Sequence, residues 1–403
     1  MSLFEIMKVL VNDPIHEEGI SLLEKEAKID ERKRKGEELE EAIGDFDAII
    51  VRRGTDVNED VVERGASGRL KIIGRAGIGY DNIDTDAASK NGIVVKNAPH
   101  GNTNAAAEQA LGLMLSVARN TPQAHMSLQN GEWSKKPYRG VELSGKTLGI
   151  IGCGRIGQRL SEIVSGLGMD VLGCDLDVEE AKERFPDSRM EYVPQDKLLS
   201  QSDFVSIHTG GKSEIIGPRE IAKMKEEAFL INVSRGANVN EEELYNALRR
   251  GGISGAGLDV HEEEPGEGET FNNRLRGLPN VVMTSHLEAS TYEAQEKTGR
   301  EMARVTLGYL QKGDFGNAVN VDDGVIVEAS SGAYPLFVHH EEKSGVYGEI
   351  DSVLGDEDIN IYQQPSGKFG YGNAVTVFLL GQEPSRDIVK RIDSLDPVYS
   401  CKR

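Results

Sequence analysis

The sequence predicts an α/β protein: two successive units built on mostly parallel, doubly wound sheets, followed by a small α+β unit. Three observations carry that expectation. Short Val/Ile/Leu runs alternate with polar, helix-compatible stretches from residue 8 to about 98, a second alternating series begins at Thr147, and residues 333–403 read strand, helix, strand, strand, helix, strand.

In the first series the runs are KVLV, then the helical HEEGISLLEKE, then AIIV, KIIGRAG and IVVKNA. The mixed-charge run ERKRKGEELEE near residue 31 reads as a solvated helix face or loop and receives no function. Asn104 to Ala118 is Ala-rich and reads as a helix leading away from this unit. Six strand-like runs follow, TLGIIG, DVLGCD, FVSIH, AFLINV, GISGAGLDV and VVMTSH, enough for a full doubly wound sheet. Ser290 to Gln311 reads as one long helix, and the polar, glycine-bearing stretch from Lys312 to Gly332 as a connection. The last unit reads PLFVHH, helix SGVYGEIDSVLG, INIYQQ, a glycine-rich turn SGKFGYG, AVTVFLLG, helix SRDIVKRIDSL and PVYSC, the order of a ferredoxin-like sandwich.

At 403 residues, with 38% hydrophobic and 28% charged residues, the chain should divide into two or three globular domains. A net charge of -21 repels nucleic acid and anionic lipid, so neither is expected as a partner. No run approaches twenty apolar residues and the start lacks a signal pattern, which predicts a protein neither secreted nor membrane-spanning. Cys153, Cys174 and Cys401 are odd in number and lack CxxC spacing, as expected of reduced thiols in the cytoplasm, and no metal-ligand set is read. Against the acidic background, Arg52, Arg53, Arg75, Lys135, Lys136 and Arg139 are candidates to line a pocket for an anion, or are scattered surface cations.

Gly152-Cys153-Gly154-Arg155-Ile156-Gly157 follows the strand-like TLGII and opens a helix-compatible stretch, and Asp175 ends the next strand-like run. That is the full context of a dinucleotide fingerprint. Gly152 permits a tight turn, Gly154 lets backbone approach a pyrophosphate, and Gly157 lets the helix lie close on the sheet. Asp175 can accept from both ribose hydroxyls and would repel a 2'-phosphate, which favours NAD over NADP. The rival phosphate-loop spacing from Gly140 to Thr147 runs straight into a strand instead of following one, and is read as a chance match.

Three further residues lie where loops leave strand ends: Arg235 after FLINVS, Glu264 after LDVHEE and His286 at the end of VVMTS. Singly, each reads as readily as a surface or strand-end residue, and spacing alone does not choose among Glu262, Glu263 and Glu264.

The segments INVSRG, LDVHEEEP and SHLEAST, with GRAGIGYDNID and NAPHGN, resemble the D-isomer-specific 2-hydroxy acid dehydrogenases over nearly the whole chain. The resemblance implies a Rossmann-type domain, 102–288, inserted in a flavodoxin-like substrate domain, 1–101 and 289–320. It implies Arg235, Glu264 and His286 as catalytic trio, with His286 as acid-base, Glu264 as its partner and Arg235 on the substrate carboxylate and C2 oxygen. It adds His208, Val233 and Asp259 to the NAD site, Asp259 facing the nicotinamide amide. The backbone of Gly77, Ile78 and Gly79 would bind the substrate carboxylate, with Arg52, Arg75 and Lys135 as candidates for a substrate phosphate.

The expected reaction is NAD-dependent oxidation of D-3-phosphoglycerate. The alternatives are glyoxylate or hydroxypyruvate reduction, D-lactate oxidation, or a non-catalytic NAD-sensing regulator. Residues 333–403 resemble an ACT domain, which implies an amino-acid effector such as serine near His340, Glu342 and Asn360, and a homodimer or homotetramer. The chain departs from the family pattern at Ser285, where proline is usual, at Glu288, where glycine is usual, in the loop Thr209-Gly210-Gly211, and at Glu342 and Ser344. A carboxylate at Glu288 either repels a phosphorylated acid or points to solvent.

Overall fold

A computed structural model of the chain describes residues 6–266, 268–322 and 333–403. The second half of the expected connection from Lys312 to Gly332 lies outside the described residues. Two compact units emerge, Met1–Gly101 together with Gln295–Arg403, and Asn102–Ala294.

The first unit holds a five-stranded parallel sheet, β1 (Met7–Val11), β2 (Ala27–Asp30), β3 (Ala48–Val51), β4 (Ile72–Arg75) and β5 (Val94–Asn97), in the order β2-β1-β3-β4-β5. This is the flavodoxin-like order. Strands β3 and β5 are buried throughout; β3 shows as a continuous apolar run, as strands covered on both faces do, whereas β5 ends in the buried Lys96 and Asn97. β2 was not legible: AKID is an edge strand with only Ala27 fully buried, and its charges hide the period. The charged run behind it becomes a helix, Glu37–Ile43, that buries Leu39 and Ile43.

The C-terminal part of the same unit is an antiparallel sheet of β13 (Tyr334–Glu341), β14 (Ile361–Gln363), β15 (Ser366–Lys368), β16 (Asn373–Leu380) and β17 (Val398–Lys402). Its order is β14-β16-β13-β17, that of a ferredoxin-like sandwich, with β15 extending the β14 edge along β16. Thus part of the expected glycine-rich turn SGKFGYG is strand, because Gly367 pairs with Val375 while only the following residues turn. One face, with Leu336, Val338, Phe378 and Leu380, is covered by helices Val346–Gly355 and Arg386–Asp393. The alternate residues Phe337, Val375, Val377 and Leu379 pack with Val9, Ile72, Val94, Tyr309 and Phe315 of the flavodoxin-like part, where the helix Tyr292–Lys312 runs. Period-two alternation therefore feeds two cores, which is why β16 is apolar at nearly every position.

The second unit holds seven parallel strands, β6 (Thr147–Ile151), β7 (Asp170–Cys174), β8 (Glu191–Tyr192), β9 (Phe204–Ile207), β10 (Phe229–Asn232), β11 (Gly255–Leu258) and β12 (Val281–Met283). Their order is β12-β11-β10-β9-β6-β7-β8, the Rossmann arrangement with one added strand. The sequence showed six; β8 is a two-residue edge and leaves no periodic signal. The order reverses at β6, which pairs with both β7 and β9, so the loops after β6 and β9 flank the crevice where such sheets bind ligands. The helix Thr103–Arg119 packs Ala107, Ala110 and Leu113 beside this sheet. No helix among the described residues is long and apolar enough to cross a membrane.

Candidate active site

The glycine turn after β6 is built as its residues require. Gly152 has φ 94°, and a Cβ there would lie 2.6 Å from the His208 carbonyl carbon. A Cβ on Gly157 would lie 2.4 Å from the Gly152 oxygen, so the helix Arg155–Ser165 sits directly on the turn. At Gly154 the same test meets nothing within 4 Å, and no side chain caps the helix that starts there. An open, donor-bearing helix start beside a strand end suits a pyrophosphate. Asp175 ties this turn to β7: its Oδ2 accepts from the Cys153 N–H at 2.6 Å and its Oδ1 from the Asp177 N–H at 3.3 Å. His208, at the end of β9, shares a 2.8 Å hydrogen bond between Nε2 and the Ser206 hydroxyl, while its buried Nδ1 has no partner among the described residues. Burial pushes its pKa down to about 4, so the ring is neutral. Val233 is buried just past β10. These features fit a dinucleotide at this turn.

Glu264 and His286 come together as a pair. Nδ1 of His286 lies 2.9 Å from Glu264 Oε2 and 3.2 Å from Oε1. Because the carboxylate accepts from Nδ1–H, Nε2 is the nitrogen that can exchange a proton with a substrate. His286 carries φ 58°, a left-handed backbone uncommon outside glycine, and the surroundings hold it there. Its N–H donates to the Asp259 carbonyl at 2.7 Å, and the N–H groups of Leu287 and Glu288 donate to the Asp259 carboxylate at 2.9 and 2.8 Å. Gln109, at 3.1 Å, and the Thr284 hydroxyl, at 2.5 Å, also donate to that fully buried carboxylate. Asp259 therefore fixes the loop that presents the imidazole. Sequence reasoning set Asp259 facing the nicotinamide amide and did not read this anchoring role, nor Gln109 and Thr284, whose polar side chains stand out only once the sheet brings them to one carboxylate.

Glu288 does not point to solvent. Its side chain is 13% exposed, and Oε1 lies 3.9 Å from His286 Nε2, so the imidazole has a carboxylate near each nitrogen.

Arg235 follows β10, and its guanidinium donates to the Ser234 carbonyl at 2.8 Å. The loop around it is stitched by two buried asparagines: Asn232 donates to the Arg235 carbonyl at 2.9 Å, and Asn238 donates to the carbonyls of Gly211 and Ser213 at 3.3 and 2.7 Å. Thus the unusual Thr209-Gly210-Gly211 loop is tied to the arginine loop.

His261 was not anticipated either. It is buried, tilted against Phe271 at 4.7 Å, with Nε2–H donating to the Thr284 carbonyl at 3.0 Å and Nδ1 at ion-pair distance, 3.5 Å, from Glu241. Burial works to lower its pKa, but the Glu241 carboxylate and the Thr284 carbonyl outweigh it and the net shift is upward from 6.5. A raised histidine stabilises the fold fully below its unfolded value and loses that contribution as pH climbs through the raised one. We expect the Tm advantage of the native chain over His261→Phe to be largest below pH 6.5 and to shrink toward alkaline pH; a pH-independent difference would contradict the assignment.

The remaining site residues divide between the units. Arg52 and Arg75 lie at the ends of the neighbouring strands β3 and β4 in the first unit, where Val51 pairs with Arg75. Asp13 accepts from the Arg52 N–H at 2.6 Å and bonds Lys33, so the charged run near residue 31 reaches this strand end after all. Gly77 has φ 150° and lies against the Arg75 guanidinium, where a Cβ would be 1.8 Å from Nη1; Asn97 holds the Ile78 carbonyl at 2.7 Å. Gly79 completes this loop after β4. Lys135 belongs to the second unit, its Nζ 6.0 Å from the Trp133 ring centroid. In the C-terminal sheet, both nitrogens of His340 are engaged, Nδ1 with the Glu341 carbonyl at 2.8 Å and Nε2 with the Thr376 hydroxyl at 2.9 Å; Glu342 pairs with Lys368, and Asn360 is exposed.

Residues 111–288 match the family model described as D-isomer specific 2-hydroxyacid dehydrogenase, NAD binding domain. The chain is 42% identical over 321 residues to a D-3-phosphoglycerate dehydrogenase of Methanocaldococcus jannaschii, covering 78% of this chain and 60% of that one. A namesake from Archaeoglobus fulgidus is 42% identical, with 91% and 68% covered, and a hydroxypyruvate reductase of Thermotoga maritima is 41% identical, with 73% and 95% covered. The chain thus spans about three fifths of the length of the first of these relatives and nearly all of the last. A solved glyoxylate reductase from Paecilomyes thermophila superposes with a TM-score of 0.69 at 27% identity, covering 78% of this chain and 98% of its own. With the glycine turn, the acid at Asp175 and the Glu264–His286 pair in place, the chain belongs to the D-isomer-specific 2-hydroxyacid dehydrogenases.

Proposed function

We propose that the chain oxidises D-3-phosphoglycerate to 3-phosphohydroxypyruvate with NAD, the entry reaction of serine biosynthesis. The observation that carries this reading is an imidazole whose Nδ1 is held by the Glu264 carboxylate, in a unit whose glycine turn suits a dinucleotide. Residues 102–288 serve as the cofactor domain, 1–101 with 289–320 as the substrate domain, and 333–403 as a regulatory module. The names of the archaeal relatives support the phosphorylated substrate.

A bound NAD, held at the glycine turn 152–157 and by Asp175, would supply the acceptor for the hydride of C2. His286 Nε2 takes the hydroxyl proton as that hydride departs, and Glu264 stabilises the imidazolium so formed. Arg235 holds the substrate carboxylate and polarises the C2 oxygen through its planar fork of donors. The N–H groups of Gly77, Ile78 and Gly79 add to carboxylate binding, and Arg52, Arg75 and Lys135 supply charge for the phosphate. Asp175 accepts from the ribose hydroxyls, and Asp259 fixes the His286 loop. L-Serine acts on the C-terminal module, and the working protein is a cytoplasmic homodimer or homotetramer.

The second reading, a hydroxypyruvate reductase, is favoured by Glu288, whose carboxylate beside His286 opposes a further anion, and by the Thermotoga relative. NADH absorbance with D-3-phosphoglycerate, D-glycerate, hydroxypyruvate, glyoxylate and D-lactate separates the two. The highest kcat/KM is expected with D-3-phosphoglycerate; a higher value with hydroxypyruvate would select the second reading. Serine titrated into the same assay should lower the rate, and an unchanged rate removes the regulatory role.

Asp175→Asn keeps an acceptor for the Cys153 N–H while removing the charge. NADH is expected to bind about tenfold more weakly, and the preference for NADH over NADPH to narrow by a similar factor. Fluorescence titration of both reduced cofactors checks this, and an unchanged preference would remove Asp175 from cofactor choice.

A further inference from the structure

The charged run behind β2 carries no function in the sequence, yet the fold brings it to the end of the first sheet from which the substrate loops emerge. Asn12, just past β1 and buried, is bonded to the backbone of Arg34: its Oδ1 accepts from the Arg34 N–H at 2.8 Å, and its Nδ2 donates to the Arg34 carbonyl at 3.0 Å. Those bonds pin the run beside β1. From there Lys33 reaches the loop after β3. Its ammonium has three donors, and each has an acceptor: the Asp13 carboxylate, the Gly54 carbonyl at 2.8 Å and the Thr55 hydroxyl at 2.7 Å. The Asp13 side chain is 6% exposed, and its other oxygen takes the Arg52 N–H at 2.6 Å. Asn82 holds the same loop by donating to the carbonyls of Arg52 at 2.8 Å and Thr55 at 2.5 Å. A Cβ on Gly54 would lie 2.9 Å from Asp13 Oδ1 and 3.4 Å from Lys33 Nζ, so the bare glycine lets both groups close on the loop. Arg52 thus has its N–H and its carbonyl fixed by side chains, and Lys33 holds the carboxylate that fixes the first of them.

We propose that Lys33 is a positioning residue for substrate selection. By clamping Asp13 to the loop Arg52–Thr55 it aims Arg52 at the end of the substrate remote from C2, where an anionic group distinguishes a phosphorylated acid from a plain one. This rests on the assignment of Arg52 to the substrate phosphate. Lys33 spends its three donors on the protein, so it acts through Arg52 and is not itself a phosphate ligand. Proton transfer at C2 is assigned to His286, on the loop after β12, so the effect falls on KM and not on kcat.

The test compares D-3-phosphoglycerate with D-glycerate in the full-length protein with NAD. Lys33→Met should raise KM for D-3-phosphoglycerate about tenfold while kcat, and kcat/KM for D-glycerate, stay within about twofold. Lys33→Gln keeps an amide that can donate to the loop and should recover part of the loss; it also carries the comparison if the methionine variant fails to fold. Arg52→Gln should raise the same KM, and adding Lys33→Met to it should change little more, because groups that act through one another are not additive. A native KM in Lys33→Met overturns the proposal, as does a loss shared equally by the two substrates or full additivity with Arg52→Gln. A native KM for D-3-phosphoglycerate in Arg52→Gln removes Arg52 from the phosphate, and the role of Lys33 falls with it. That failure is read from the arginine variant alone and is therefore distinct from a failure at Lys33.

Discussion

His286→Ala is expected to bind NADH as tightly as the native protein and to lose about 10²–10⁴-fold in kcat, the range for removing a positioned acid-base group. The ring stands on the loop after β12, and the cofactor turn stands after β6, so truncating the imidazole leaves the turn and Asp175 intact. The loop itself should hold. Its anchors are the Asp259 carbonyl and carboxylate, which bond the backbone of residues 286–288 and make no demand on the imidazole. Alanine inherits the positive φ that the histidine already carries, so the backbone cost is common to both and Tm should change little. Glu264→Gln should cut kcat less, because it keeps an acceptor at Nδ1 and removes only the charge that favours the imidazolium. Steady-state rates and NADH fluorescence titration check both variants. Full turnover in His286→Ala would remove the acid-base role and with it the proposed mechanism.

The sequence exposed the parts of this protein whose signal is local. Strands β6 and β9 to β11 are short apolar runs because both faces are covered, and the glycine turn announces itself by spacing. Edge elements were harder. β2 and β8 are half-exposed or two residues long, and β15 lies inside a glycine-rich stretch whose pairing with β16 no local pattern reveals. At the site, resemblance singled out Arg235, Glu264 and His286 before any geometry was known. The groups that hold them, Gln109, Asn232, Asn238, His261 and Thr284, lie far apart along the chain and converge only through sheet order. Glu288 is a different case: the sequence showed an unusual carboxylate, and only the fold showed that it turns toward the imidazole.

Gly236→Ala should be the most damaging small substitution in the second unit. Gly236 is buried directly after Arg235, and a Cβ there would lie 1.8 Å from the His261 carbonyl oxygen and 1.9 Å from its carbon. Both obstacles are backbone, so no rotamer change relieves the overlap. The two loops in contact are the one that carries Arg235 and the one that carries Glu264, and neither is free to retreat: Asn232 holds the Arg235 carbonyl, while the His261 N–H and ring are bonded to Glu264 and the Thr284 carbonyl. Separation by about 1 Å would move the guanidinium against the imidazole and lower kcat/KM by about 10²-fold, as small misplacements of catalytic groups do. Overpacking at a site this rigid should cost at least ~3 kcal/mol, a fall in Tm of about 6–12 °C for a unit of this size. Because the spacing between these loops sets the site, activity should fall further than stability does, and the loss should persist well below the lowered Tm. An alanine variant with native Tm and native kcat/KM would mean that the loops lie further apart than described and that their contact does not position Arg235.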